Sequence, residues 1–294
     1  MAKLAIAHPQ LSSPASPAGL GTAAVASAMR TDPGRVRGEN QDTCAAALEH
    51  GIFVVCDGMG GAAAGELASQ LATEAFIANI RGSAAPADNG RRNPSSDPTI
   101  IGPDHPQKRL EQAVRAANLA VFQRAQKSRA LHGMGTTLVA ALIQPDGAAH
   151  SAWIAHVGDS RCYLLRDGRF EQLTTDHSVV EEQIQAGFIT REQAELSPVR
   201  NVITRAVGTQ PSVPADIREQ PLRSGDILLL ASDGLSRELD DNAIAHFIAQ
   251  NGTNLEAACE ALIQAANEHG GRDNITVLLI RLDYPCHAAD CVHS

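Results

Sequence analysis

Thr136-Thr137-Leu138-Val139-Ala140-Ala141-Leu142-Ile143-Gln144-Pro145-Asp146-Gly147-Ala148-Ala149-His150-Ser151-Ala152-Trp153-Ile154-Ala155-His156-Val157 places an Asp-Gly pair between two apolar runs, 136–143 and 151–157. Runs of this length and residue type read as strands, and Asp-Gly is a strong signal for a tight hairpin. A third run, 161–165, leads into a second pair, Asp167-Gly168. Strands joined by turns this short pair antiparallel, which sets aside a doubly wound parallel sheet.

The pattern extends in both directions. Ile52-Phe53-Val54-Val55-Cys56 reads as a buried strand. Leu67, Leu71, Ala75 and Ile77-Ala78 form a helical stripe over 66–80, and Leu110, Val114, Ala117 and Val121 mark a second helix over 107–131. A strand over 226–231, helices over 243–248 and 255–268, and a closing strand over 275–282 follow, with Gly270-Gly271 as a helix C-cap. Helices come in pairs around blocks of antiparallel strands, so the fold class is α+β. Residues 1–28, rich in Ala, Ser, Pro and Gly, read as a flexible N-terminal arm, and 82–106 as a long surface loop.

The 294 residues suffice for one large domain or two small ones, and 44% of them are hydrophobic. Aromatics are only 3%, so aliphatic side chains must fill the core. A formal net charge of -9 argues against a nucleic-acid partner, whose phosphates demand clustered Lys and Arg. No run approaches the ~18 apolar residues of a membrane span, and the N-terminus lacks a signal-peptide pattern, so a cytoplasmic protein is expected. The six cysteines have no disulfide-framework spacing, which suits a reducing compartment. Residues 284–294 carry Cys286, His287, Cys291 and His293; a flexible tail accounts for them better than a zinc site, which needs a close Cys pair and a second cluster.

Asp146-Gly147 and Asp167-Gly168 are fully explained as turns, whereas Asp57-Gly58 and Asp233-Gly234 each follow a hydrophobic strand and lead towards a helix. A strand end is a rigid mount for a ligand, and glycine allows close backbone approach. Asp273 precedes the last strand, and Asp42 lies in Arg37-Gly38-Glu39-Asn40-Gln41-Asp42. Taken singly, each acid reads as a cap or turn residue. Taken together, they offer the hard oxygen ligands that Mg²⁺ or Mn²⁺ prefers.

Six motifs in order carry a resemblance: 37–42, 57–61, Gly133-Met134-Gly135-Thr136-Thr137, His156-Val157-Gly158-Asp159-Ser160-Arg161, Ser232-Asp233-Gly234-Leu235, and Gly271-Arg272-Asp273-Asn274. The chain resembles, from about Thr31 to Leu282, the metal-dependent protein phosphatases of the PPM or type 2C serine/threonine class, in their bacterial form. The resemblance implies a four-layer sandwich: two central antiparallel β-sheets flanked by α-helices, spanning 29–283, with a flap over 174–208. It implies two Mn²⁺ or Mg²⁺ ions bridged by Asp57, with the Gly58 carbonyl on one of them, Asp233 and Asp273 completing the shell of the first, and Asp42 holding the second, largely through water. Asp159 with Asp233 would hold a third, weaker ion. Arg37 would grip the substrate phosphate, and Asn274 would support the site or contact phosphate. The implied reaction is hydrolysis of phosphoserine and phosphothreonine by a metal-bridging hydroxide, opposing a bacterial Ser/Thr kinase. The implied partners are that kinase and its phosphorylated substrates, met as a monomer, with no nucleic acid and no membrane.

Three positions depart from the resemblance. Gln41 stands where many members carry Glu, Met59 where one branch carries a His thought to protonate the leaving group, and Ser197 where His often precedes Pro in the flap. The alternatives are a pseudophosphatase that binds without turnover, to which Gln41 alone points, and a phosphatase of small phosphate monoesters.

Overall fold

Asp167 and Gly168 adopt φ of 51° and 77°, the left-handed pair that a tight primed turn requires, and the two strands they join pair antiparallel. The computed structural model describes residues 5–7, 18–20, 23–83, 105–146 and 149–283. The chain begins with β1 (Ala5–Ala7), β2 (Ala18–Leu20), β3 (Ala23–Asp32), β4 (Asp42–Ala47) and β5 (Ile52–Met59). Helices α1 (Ala62–Ser83) and α2 (Pro106–Ala125) follow. Next come β6 (Gly135–Thr136), β7 (Leu138–Asp146), β8 (Ala149–Val157), β9 (Arg161–Arg166) and β10 (Arg169–Gln172). Two short helices, α3 (Val179–Gln185) and α4 (Arg191–Glu195), lie within the flap. β11 (Asp216–Leu222), β12 (Ile227–Ala231), α5 (Asp233–Ser236), α6 (Asp241–Asn251), α7 (Leu255–Glu268) and β13 (Ile275–Asp283) complete the series.

The strands form two sheets, in the orders β1-β4-β5-β7-β8-β11, with β6 also on β5, and β10-β9-β12-β13-β3-β2. All their pairings are antiparallel. Alternation along each strand divides the core into three layers. On β5, Phe53 and Val55 join Cys44, Leu228, Leu230, Leu278 and Ile280 between the sheets. Ile52, Val54 and Cys56 face the other way, onto Ala68, Phe76, Leu110 and Val121 of α1 and α2. The second sheet turns Leu229, Val277 and Leu279 outward onto Ile244, Ile248 and Leu262 of α6 and α7. The expected four-layer sandwich is the one found.

Some boundaries differ. The arm expected over 1–28 ends earlier, because β3 pairs with β13 from Ala24 opposite Asp283 to Asp32 opposite Ile275, and Val25 is fully buried. Its Ala-rich sequence has little strand propensity of its own; long-range pairing and burial override that. The helix expected to reach 131 stops at Ala125, and a short 3₁₀ turn spans Arg129–Leu131. The link 158–160 makes no hairpin between β8 and β9 but carries the chain from one sheet to the other. Most of the 82–106 loop, the tail 284–294 and the turn residues 147–148 lie outside the described residues. No helix among the described residues is long and apolar enough to cross a membrane.

Candidate active site

Strand parity aims the first two acids. Asp42 shares a face of β4 with Cys44 and Ala46, and Asp57 shares a face of β5 with Phe53 and Val55; all four of those residues lie between the sheets. Asp42 and Asp57 are also direct register partners. Both therefore point into the end of the inter-sheet space from one sheet. Asp233 starts α5 just after β12, and Asp273 sits just before β13, so the adjacent strands of the other sheet bring those two to the same end. Asp159 lies on the crossover between the sheets. Asp57, Asp159, Asp233 and Asp273 face a cleft of about 640 Å³ that Arg37, Gly58, Met59, Arg237 and Asn274 also line.

The second sheet holds Asp42 in place. Ser232 Oγ and Thr276 Oγ1 each donate to Asp42 Oδ2 at 2.7 Å. The Gly-Met-Gly-Thr-Thr motif supports Asp57 through its backbone. Thr136 Oγ1 and Thr137 N donate to the Asp57 carbonyl at 2.8 Å, and Asp57 N donates to Thr137 Oγ1 at 3.0 Å.

Burial drives the electrostatics. Burial and the neighbouring acids raise the carboxyls of Asp57 and Asp233 well above the usual range, Arg237 opposing the rise at Asp233. Asp42 is raised to about 6 by burial, against the pull of its two hydroxyl donors. Asp159 is raised by burial and opposed by Arg237. Such a cluster is short of positive charge. Oδ1 of Asp42 and Oδ1 of Asp233 are buried with no hydrogen-bond partner, an expensive arrangement unless a cation uses them.

These hard oxygen donors fit Mg²⁺ or Mn²⁺. Among the described residues, no three acidic, histidine or cysteine side chains already converge as a closed ligand set. Two arginines stand among the acids. Arg37 Nη2 donates to Asp273 Oδ2 at 2.9 Å, and the Arg237 guanidinium touches Asp159, Asp233 and Asp273.

Glycine also has a packing role here. A Cβ on Gly58 would lie 2.1 Å from the Gly65 carbonyl oxygen, and one on Gly234 would lie 2.0 Å from that of Asn274. What approaches these glycines is neighbouring backbone, which lets α1 and β13 close on the site. Asn274 also departs from one of its expected roles. Its Oδ1 accepts from Gln41 N at 2.9 Å, and its Nδ2 donates to the carbonyls of Pro33 and Glu39. With both ends engaged it clamps the loop carrying Arg37, and no free amide end remains for phosphate.

Other readings resolve as well. Cys56 is fully buried with its thiol pushed up to about 12 by burial, so it is no thiolate nucleophile. His156 is a packed histidine, its pKa lowered to about 4 by burial and its ring 4.6 Å from that of His177. Ser178 caps the first flap helix, with its side chain accepting from Glu181 N. Asp176 receives Arg161 Nε and Nη2 at 2.9 and 2.7 Å, which ties the flap's start to β9. Sequence reasoning missed Thr276 and Arg237. Thr276 shares its strand parity with Leu278 and Ile280, and Arg237 stands four residues after Asp233, the helical spacing for an ion pair.

The family described as Protein phosphatase 2C matches residues 35–277, and the chain belongs to that family. It is 35% identical over 258 residues to the serine/threonine phosphatase stp of Listeria monocytogenes, covering 86% of this chain and 94% of that one. It is 34% identical to protein phosphatase PhpP of Streptococcus pneumoniae, covering 86% and 96%. Among solved structures, the catalytic domain of the serine threonine protein phosphatase PstP in complex with two manganese ions superposes with a TM-score of 0.73 at 33% identity, covering 89% of this chain and all of that one.

Proposed function

We propose that this chain is a metal-dependent protein serine/threonine phosphatase that hydrolyses phosphoserine and phosphothreonine. The observation that carries this reading is the meeting of Asp42, Asp57, Asp233 and Asp273, drawn from both sheets of a Protein phosphatase 2C fold, at one end of the inter-sheet space with unpartnered buried carboxylate oxygens. Asp57, the Gly58 carbonyl, Asp233 and Asp273 would hold one divalent ion, and Asp42 with Asp57 a second. Bound there, Mn²⁺ or Mg²⁺ would supply Lewis acidity towards the phosphoryl oxygens and activate a water.

The chain's own groups do the rest. Arg37, half-exposed at the cleft mouth, offers a planar bidentate fork to the incoming phosphate. Asn274 fixes the loop that carries it. Ser232 and Thr276 hold Asp42 so that its free oxygen stays available. Met59 lines the cleft without a proton to give, so no side chain at that position serves as general acid. The buried free cysteines Cys44, Cys56, Cys162 and Cys259 suit a reducing, cytoplasmic setting, where a monomer would oppose a Ser/Thr kinase on shared protein substrates.

The test is phosphate release from a phosphothreonine peptide with Mn²⁺, with Mg²⁺ and with chelator, for wild type and Asp57→Asn. Metal-dependent turnover that collapses in the variant is expected. A folded wild type inactive with every ion would overturn the enzyme reading.

A further inference from the structure

Three carboxylates crowd the side of the cleft away from Asp42, and the cation among them belongs to the chain itself. Arg237 follows the last turn of α5, four residues after Asp233, and folds back so that its Nη2 meets Asp233 Oδ2. The same nitrogen lies 3.5 Å from Asp159 Oδ2, and Nη1 lies 3.4 Å from Asp273 Oδ2. Asp159 and Asp233 are 7% exposed, so neither charge is neutralised by bulk water. A guanidinium stays charged at any pH a protein survives and spreads its donors in a rigid fork, which suits it to bridging several carboxylates.

Resting on the two-ion reading above, we propose that Arg237 is a tethered cation occupying the place between Asp159 and Asp233, so that this phosphatase binds two divalent ions and excludes a third. A divalent ion bridging Asp159 and Asp233 would compete with Arg237 for Oδ2 of both carboxylates, and would sit against a fixed positive charge. Asp159 is then a positioning residue that holds Arg237, not a metal ligand. The site's third positive element is therefore present at every metal concentration, where a weakly held ion would come and go.

The experiment counts Mn²⁺ ions bound by the full chain, using titration calorimetry and the electron paramagnetic resonance signal of free Mn²⁺. Wild type, Arg237→Ala, Arg237→Asp, Arg237→Lys and Asp159→Asn are compared, with circular dichroism to verify folding. Two ions are expected in wild type, in Arg237→Lys and in Asp159→Asn. A third, weaker ion is expected in Arg237→Asp and in Arg237→Ala. Activity against Mn²⁺ should rise in one phase for wild type and gain a second, high-concentration phase in Arg237→Asp. Three ions in wild type, with one lost in Asp159→Asn, would overturn the inference and leave the two-ion reading intact. A count that stays at two in both Arg237→Ala and Arg237→Asp would also overturn it. No bound ion in folded wild type would remove the two-ion reading, and this inference with it.

Discussion

Asp42 shows how a single carboxyl is set by its surroundings. Its ordinary value of 3.8 is raised to about 6 by burial. Because folding raises this pKa, the folded chain keeps a proton that the unfolded chain has released, and stability falls as pH climbs from 3.8 to about 6. In chelator, Asp42 should therefore contribute to a loss of stability across that window, together with the raised carboxyls of Asp57 and Asp233. Denaturant melts at successive pH values should show the loss in wild type and a smaller one in Asp42→Asn. Metal affinity should run the opposite way and strengthen with pH, since ligands must give up their protons. Asp57→Asn should lower kcat by at least about 10²-fold while raising the melting temperature in chelator, because it removes one of several crowded buried acids. A variant that loses activity and stability together in chelator would mean that Asp57 is a structural residue. Asp57 and Asp233 were legible in sequence because each ends an apolar run. Arg237 and the hydroxyls on Asp42 were not, because Ser232 and Thr276 meet it only across the sandwich.

Among the elements, those whose patterns are local could be read directly. The helix over 255–268 has the same bounds in sequence and structure, with Asn254 capping it by accepting from Ala257 N. The hairpin at Asp167-Gly168 followed from turn chemistry alone. The β8–β9 link was opaque, since three residues fit a turn as well as a crossover, and only the partners β11 and β12 decide between them. β3 was hidden for the same reason, its strand state being imposed by β13. The flap is held at its root by the Arg161–Asp176 pair, both partners largely screened from water. Arg161→Ala should cost about 2 kcal/mol and leave Asp176 without its cation. Hydrogen exchange should then quicken across 177–205 more than in β7 or β13. Uniform quickening would show that the pair supports the whole domain instead of the flap.

For the whole molecule, the site joins the two sheets at one end of the space between them. Ions held by Asp57 on one side and Asp233 and Asp273 on the other should stabilise the fold by mass action, about 2.7 kcal/mol per site at a hundredfold excess over Kd. For a domain of this size that is a rise of roughly 5–10 °C in melting temperature, readable by calorimetry. Asp233→Asn should lose most of the rise, and equal rises in both proteins would place the ions elsewhere. The register of β4 against β5 carries a further consequence. Asp42 and Asp57 face the inter-sheet space only because each shares parity with the apolar residues of that face, and a slip of one residue would turn one of them towards the helices. Metal capture by these acids would thus proofread strand assembly: a chain that had paired its strands wrongly could not hold the ions, and would be left both inactive and without their stabilisation.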